Sequence, residues 1–121
     1  IPQLEGLPKK ELRQLCRRFR ALAFIEYDGK RYLISHAGVG FMPDSLIRVK
    51  AQTFIRSNGK YEDPVDQWFE EHELERNPDL MQIHAHRNTS GIPIKASKNS
   101  YNLCDTVEFG GDLRIIEISH D

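Results

Sequence analysis

The 121-residue sequence has only two cysteines, Cys16 and Cys104. At most one bridge can form, which excludes a disulfide-scaffold fold and fits reduced thiols in the cytoplasm. The longest purely apolar run, from Ala21 to Ile25, is five residues, far short of the roughly 20 that span a bilayer. No membrane partner is expected, and no signal peptide is evident. Charge of one sign is also missing: 17 Lys and Arg oppose 18 Asp and Glu, for a net charge of -1. Bulk charge therefore does not point to a nucleic-acid binder. There are no repeats and no low-complexity tracts. Cys-x-x-Cys, P-loop, His-Glu-x-x-His and Gly-x-Ser-x-Gly patterns are absent, so a phosphate cradle or a hydrolase triad has no support.

What remains is an ordinary globular mixture, 39% hydrophobic and 29% charged, of a length suited to one domain over residues 1–121. Leu12, Leu15, Cys16, Phe19 and Leu22 recur at helical spacing after Pro8 and predict an amphipathic helix over 9–22. Its other face is basic: Lys9, Lys10, Arg13, Arg17, Arg18 and Arg20. Strand-forming runs 23–27 and 31–35 flank Asp28-Gly29, a dipeptide suited to a type I′ hairpin turn. Asp44 can cap a second helix carrying Ile47, Ala51, Phe54 and Ile55 on one face and stopping at Asn58-Gly59. A third helix starts at Asp63-Pro64, with Val65, Trp68, Phe69 and His72 inward and an acidic run, Asp66 included, on its solvated side. Short strands are predicted at 80–83, 100–103, 106–109 and 113–118, the last of them buried. Helices early and strands late favour a mixed α/β layered fold.

Three of the five histidines fall where strands end: His36 after 32–35, and His84 and His86 after 80–83. Strand ends facing loops are where α/β folds assemble sites, and imidazole is a common ligand for zinc, manganese and iron. Small neighbours at Ala37, Gly38 and Ala85 leave room for close approach. Arg87 can balance a substrate phosphate or form a structural ion pair. His72 and His120 are read as packing or surface residues.

The order of segments Lys30-Arg31-Tyr32-Leu33-Ile34-Ser35-His36-Ala37-Gly38-Val39, Gln82-Ile83-His84-Ala85-His86-Arg87, Tyr101-Asn102-Leu103 and Val107-Glu108-Phe109-Gly110-Gly111-Asp112-Leu113-Arg114 resembles the C-terminal half of the calcineurin-like metallophosphoesterases. His36-Ala37-Gly38 matches that family's His-Gly-Gly turn, and Ala85-His86 matches its Gly-His motif. The resemblance implies the C-terminal half of a layered α/β/β/α sandwich with a mixed sheet. It further implies that His36 and His86 are ligands of one metal in a centre of two divalent ions (Mn, Fe or Zn), with Arg87 at the substrate phosphate. Asn88 stands where many relatives have a further histidine, and Asp105 is shifted by one from the Asn-Leu-Asp-Thr pattern, so neither carries a role. His84 lies two residues too early to be a ligand and is expected to point elsewhere.

The family's Asp-x-His, Gly-Asp-x-x-Asp-Arg and Gly-Asn-His motifs do not occur here. The sequence opens on Ile1 rather than methionine and reads as part of a longer chain, so the resemblance implies a phosphoesterase fragment that is inactive alone. Its partners would be a missing N-terminal half and a phosphorylated protein, nucleotide or nucleic-acid end, and an open half-sandwich is expected to self-associate. Two alternatives stand beside it. One is a non-catalytic interaction module using the basic first helix and acidic third helix. The other is a small zinc-stabilised domain built on His36, His86 and Cys104.

Overall fold

The computed structural model describes residues 6, 8–45, 49–56, 60–88 and 91–119. In chain order they form α1 (Lys9–Arg17), β1 (Leu22–Tyr27), β2 (Lys30–Ser35), α2 (Ala51–Arg56), α3 (Val65–Glu73), β3 (Leu80–His84), β4 (Lys95–Ser97) and β5 (Ser100–Asn102), with a 3-10 turn at Val107–Phe109. The sheet is mixed, in the order β1-β2-β3-β5-β4. β1 and β2 pair antiparallel, β2, β3 and β5 run parallel, and β4 returns antiparallel along β5. The predicted α/β class holds. Positions Ile47, Asn58, Gly59 and His120, and the side chain of Ile55, lie outside the described residues.

The hairpin forms where the turn chemistry places it. Asp28 and Gly29 both have positive φ, 50° and 76°, the pair that a type I′ turn requires. Alternation along the strands then sorts the side chains. One face carries Leu33 and Ser35 from β2, Leu80, Gln82 and His84 from β3, and Ser100 and Asn102 from β5, in register across the parallel pairs. All are buried. Over this face α2 and α3 bring Phe54 and Phe69, which close an apolar core with Leu33, Val39 and Leu80.

The buried face of α3 is rotated from the predicted one. Val65, Asp66, Phe69 and Glu73 are inside, whereas Trp68 is half-buried and His72 is exposed. Two carboxylates that the sequence suggested were solvated are therefore in the interior. Each is compensated: Glu73 accepts the Met42 N–H at 2.8 Å and the Asn77 amide at 2.6 Å, and Asp66 is bonded as described below.

The two terminal strands are corrections. Residues 106–109 curl into the 3-10 turn because Thr106 and Gly110 are left-handed, at φ 50° and 93°. Gly111 then lies so close to the Asp105 carbonyl that a Cβ would stand 1.5 Å from its oxygen. The segment 112–119 has no regular structure, and Leu113 and Ile115 are 75% and 77% exposed. It keeps only its alternation, laying Arg114, Ile116 and Ile118 partly inward. Ile116 and Ile118 line a cleft with Tyr27, Tyr32 and Tyr101 on the second face of the sheet. Arg114 anchors it, donating to the Ile92 carbonyl at 2.7 Å and pairing with Asp105 at 3.3 Å. The first helix also ends sooner than its periodicity suggests, at Arg17, and has no buried residue.

Core and surface aromatics should separate cleanly in urea denaturation. Phe69→Ala, which empties a fully buried site, is expected to cost about 3–5 kcal/mol. Phe109→Ala, at a ring 86% exposed, should stay within about 0.5 kcal/mol of the parent. Comparable losses would refute the placement of the core.

Candidate functional site

The carboxyl ends of β2, β3 and β5 lie side by side, and the loops leaving them form the site. Beyond the ladder the chains stay joined: the Ala85 N–H donates to the His36 carbonyl at 2.8 Å, and the Leu103 N–H to the His84 carbonyl at 2.7 Å. His36 and His86 both stand exposed at this end, with ring centroids 4.7 Å apart and planes tilted by 34°. The structure thus brings together the two histidines singled out from the sequence. Burial, the nearby His36 and the Arg87 charge lower the His86 pKa, with Glu108 acting weakly the other way. That direction favours the neutral imidazole, the form that ligates metals.

His84 points the opposite way. It is buried, with Nε2 2.6 Å from Asp66 Oδ1 and Nδ1 2.9 Å from the Ala85 carbonyl oxygen. Ser100 Oγ also donates to Asp66 Oδ1, and Gln82 ties in by donating to Ser100 at 3.1 Å while accepting the Val39 N–H at 2.7 Å. Serine, carboxylate and histidine do meet, but the hydroxyl is bonded to the carboxylate, not the imidazole, and is fully buried. This is not a nucleophile with its base. Gly38, at φ 71°, leaves the space that the His84 ring fills: a Cβ there would stand 2.8 Å from the ring.

Arg87 is not at a phosphate-facing surface. It is 3% exposed, and Nη1 donates to the backbone carbonyls of Lys60 and, at 3.3 Å, Tyr61. Burial lowers its pKa while Asp63 and Asp66 oppose the shift. Its guanidinium holds the 60–63 turn beneath the site and is turned inward, a structural role that the sequence left open beside contact with a phosphate. That turn presents Tyr61, whose ring meets His86 edge-on at 5.4 Å. Asn88 joins loops through its amide, donating to the carbonyls of Cys104 at 2.7 Å and Ile92 at 3.2 Å.

Among the described residues, no group of three or more His, Cys, Asp or Glu side chains is placed to hold a metal ion. The zinc cluster of His36, His86 and Cys104 is therefore not assembled. Sequence reading missed Asp66 and Tyr61. Asp66 was legible in retrospect from its spacing, one turn before Phe69 and two before Glu73, but it sits in an acidic run that looks solvated. Tyr61 reaches the site through a loop, which carries no periodic signal. No protein-family model, curated protein or solved structure matches this chain significantly.

Burial alone would raise the Asp66 pKa, but the hydrogen bond and attraction from His84, the Ser100 hydroxyl and the Arg87 charge outweigh it and hold the carboxyl below its ordinary value. A depressed folded pKa lends stability that is complete above the unfolded pKa of about 3.9 and is lost as pH falls through the folded value. Urea midpoints should therefore drop below about pH 4, with a shallower acid limb in Asp66→Asn. An identical acid limb in the variant would show that Asp66 contributes nothing to acid unfolding.

Proposed function

We propose that the chain forms part of a metal-dependent phosphoesterase, in which His36 and His86 supply imidazole ligands to one divalent ion. The observation that carries this reading is their convergence at the carboxyl ends of two parallel strands. The donor set fits such an ion in part: two exposed imidazoles stand with ring centroids 4.7 Å apart, and His86 is biased toward its neutral form. It does not fit a complete two-metal centre, because no carboxylate joins the pair among the described residues.

Two divalent ions about 3.5–4 Å apart, when bound, activate water and clamp phosphoryl oxygens. The bridging carboxylates would come from an N-terminal half joined to this chain. His36 and His86 bind and orient, and the Ala85–His36 backbone bond keeps their spacing fixed. Tyr61 walls the cleft beside His86. The substrate is a phosphorylated molecule, with the protein, nucleotide and nucleic-acid classes all compatible.

Residues 1–121 alone are expected to show no appreciable hydrolysis of an aryl phosphate with added manganese or zinc. Joining the N-terminal half should restore it, and His86→Ala in that longer chain should then cost at least the roughly 10- to 100-fold seen when even a ligand's supporting partner is lost. Robust turnover by the chain alone, or an unimpaired His86→Ala parent, would refute the reading.

One observation favours a second reading, an interaction module. Helix α1 is basic and unburied, with Phe19 just beyond it 68% exposed. Leu22 pairs with Ser35, so α1 enters the sheet at the end that carries His36. In sedimentation experiments on the chain, Leu15→Glu with Phe19→Glu should abolish any association if this face mediates it. Association unchanged by both substitutions would exclude α1.

A further inference from the structure

Strand alternation should place His84 and His86 on the same face, since they are two residues apart. They lie on opposite sides: His84 is inside and His86 outside. The reversal happens at His86 itself, whose φ is 65°. The Arg87 N–H donates to the Ala85 carbonyl at 2.8 Å, closing a three-residue γ-turn of positive φ, a rare and strained form for a residue with a side chain. Strain of this kind persists only where the surroundings impose it.

The surroundings can be named. The Ala85 carbonyl that accepts the Arg87 N–H is also within hydrogen-bond distance of His84 Nδ1, at 2.9 Å. A carbonyl oxygen only accepts, so Nδ1 donates. On the far side of the same ring, Nε2 donates to the Asp66 carboxylate at 2.6 Å, and the same oxygen accepts from Ser100. The ring itself is wedged over Gly38, in the loop that carries His36. The Ala85 N–H meets the His36 carbonyl. One residue, Ala85, thus links the buried pair to both exposed histidines.

The geometry points to Asp66 and His84 as positioning residues that act through the Ala85 carbonyl to hold His86 in its left-handed turn, facing His36. This rests on the metal-ligand reading for its consequence, but the conformational claim stands apart from it. Without Asp66 the ring is free to swing off the carbonyl, the γ-turn opens toward ordinary strand conformation, and His86 follows the alternation away from His36.

The test uses NMR and zinc titration on the chain, comparing wild type with Asp66→Ala, which removes every group that holds His84 Nε2, and with Phe69→Leu. Phe69→Leu perturbs the same buried face of α3 without touching the Asp66–His84–Ala85 chain, so it controls for a general loss of packing. In wild type, protons of the His36 and His86 rings should give a direct inter-ring NOE. Asp66→Ala should lose it and weaken zinc binding about 10-fold, while Phe69→Leu keeps both. An inter-ring NOE and zinc affinity retained in Asp66→Ala would overturn the inference, as would their equal loss in Phe69→Leu. If wild type shows the NOE but binds no zinc, and Asp66→Ala loses the NOE, the positioning role stands and the metal reading falls. Should Asp66→Ala not fold, hydrogen exchange in wild type decides. Protection of both the Arg87 amide and the His84 Nδ1–H supports the inference, and rapid exchange of either one defeats it.

Discussion

The contact between Asp66 and His84 is the constraint around which the rest is arranged. A buried carboxylate is costly unless it is paired and hydrogen-bonded, and Asp66 is buried on α3 with two partners on its Oδ1. Those partners come from β3 and β5, so the helix can seat on the sheet in only one rotation and one axial position. An apolar contact surface would tolerate sliding. The polar one does not, because a shift of either element leaves a buried acceptor and a buried imidazole unpaired. Gln82 extends the same logic to β2's exit loop by taking the Val39 N–H. A chain of hydrogen bonds therefore runs from the 36–40 loop through β3 and β5 to α3 and back to Ala85.

This arrangement explains how the two exposed histidines can be precise without being buried. Loops at sheet ends are ordinarily the most mobile parts of a fold. Here each one is tied to the interior within a residue or two of the imidazole it carries. Ser35 Oγ accepts the Gly38 N–H at 3.2 Å just beyond His36. Arg87 turns inward to the 60–63 backbone directly after His86, and the Asn102 amide donates to the Arg87 carbonyl. The residues flanking the site spend their polar groups on structure, which leaves the imidazoles as the groups that face outward.

Much of this was legible in the sequence where the signal is local. Asp28-Gly29 needs no tertiary context to turn, and the runs before His36 and His84 are apolar enough to be central strands. Legibility failed where tertiary contacts override pattern. Residues 113–118 alternate like a strand, yet the segment is held as an extended strap by Arg114 rather than by a ladder. Residues 106–109 have strand-forming side chains, but Gly110 and Gly111 permit a tight reversal that composition does not reveal. In α3 the acidic residues obscured the true inner face, because a carboxylate's partner two strands away is invisible to helical periodicity. The convergence of His36 and His86 followed from placing two strand ends side by side. The inward turn of Arg87 did not, since nothing local distinguishes a guanidinium aimed at backbone carbonyls from one aimed at a phosphate.

The energetic margin at His86 shows why the buried network and the exposed site belong together. A side chain held in a sparsely populated backbone region costs on the order of 1–3 kcal/mol. A typical intramolecular hydrogen bond returns a net of about 0.5–1.5 kcal/mol. Four bonds fix the backbone from Ala85 to Arg87: those to the His36 carbonyl, to the Ala85 carbonyl from Arg87 and from His84, and to the Arg87 carbonyl from Asn102. At the low end of that range the four together come to about 2 kcal/mol, within the range of the strain they offset, so there no single one is surplus. Of the four, only the His84 bond depends on a ring that must itself be held from behind. That places Asp66, a residue with no route to solvent chemistry, in control of which way an exposed histidine faces.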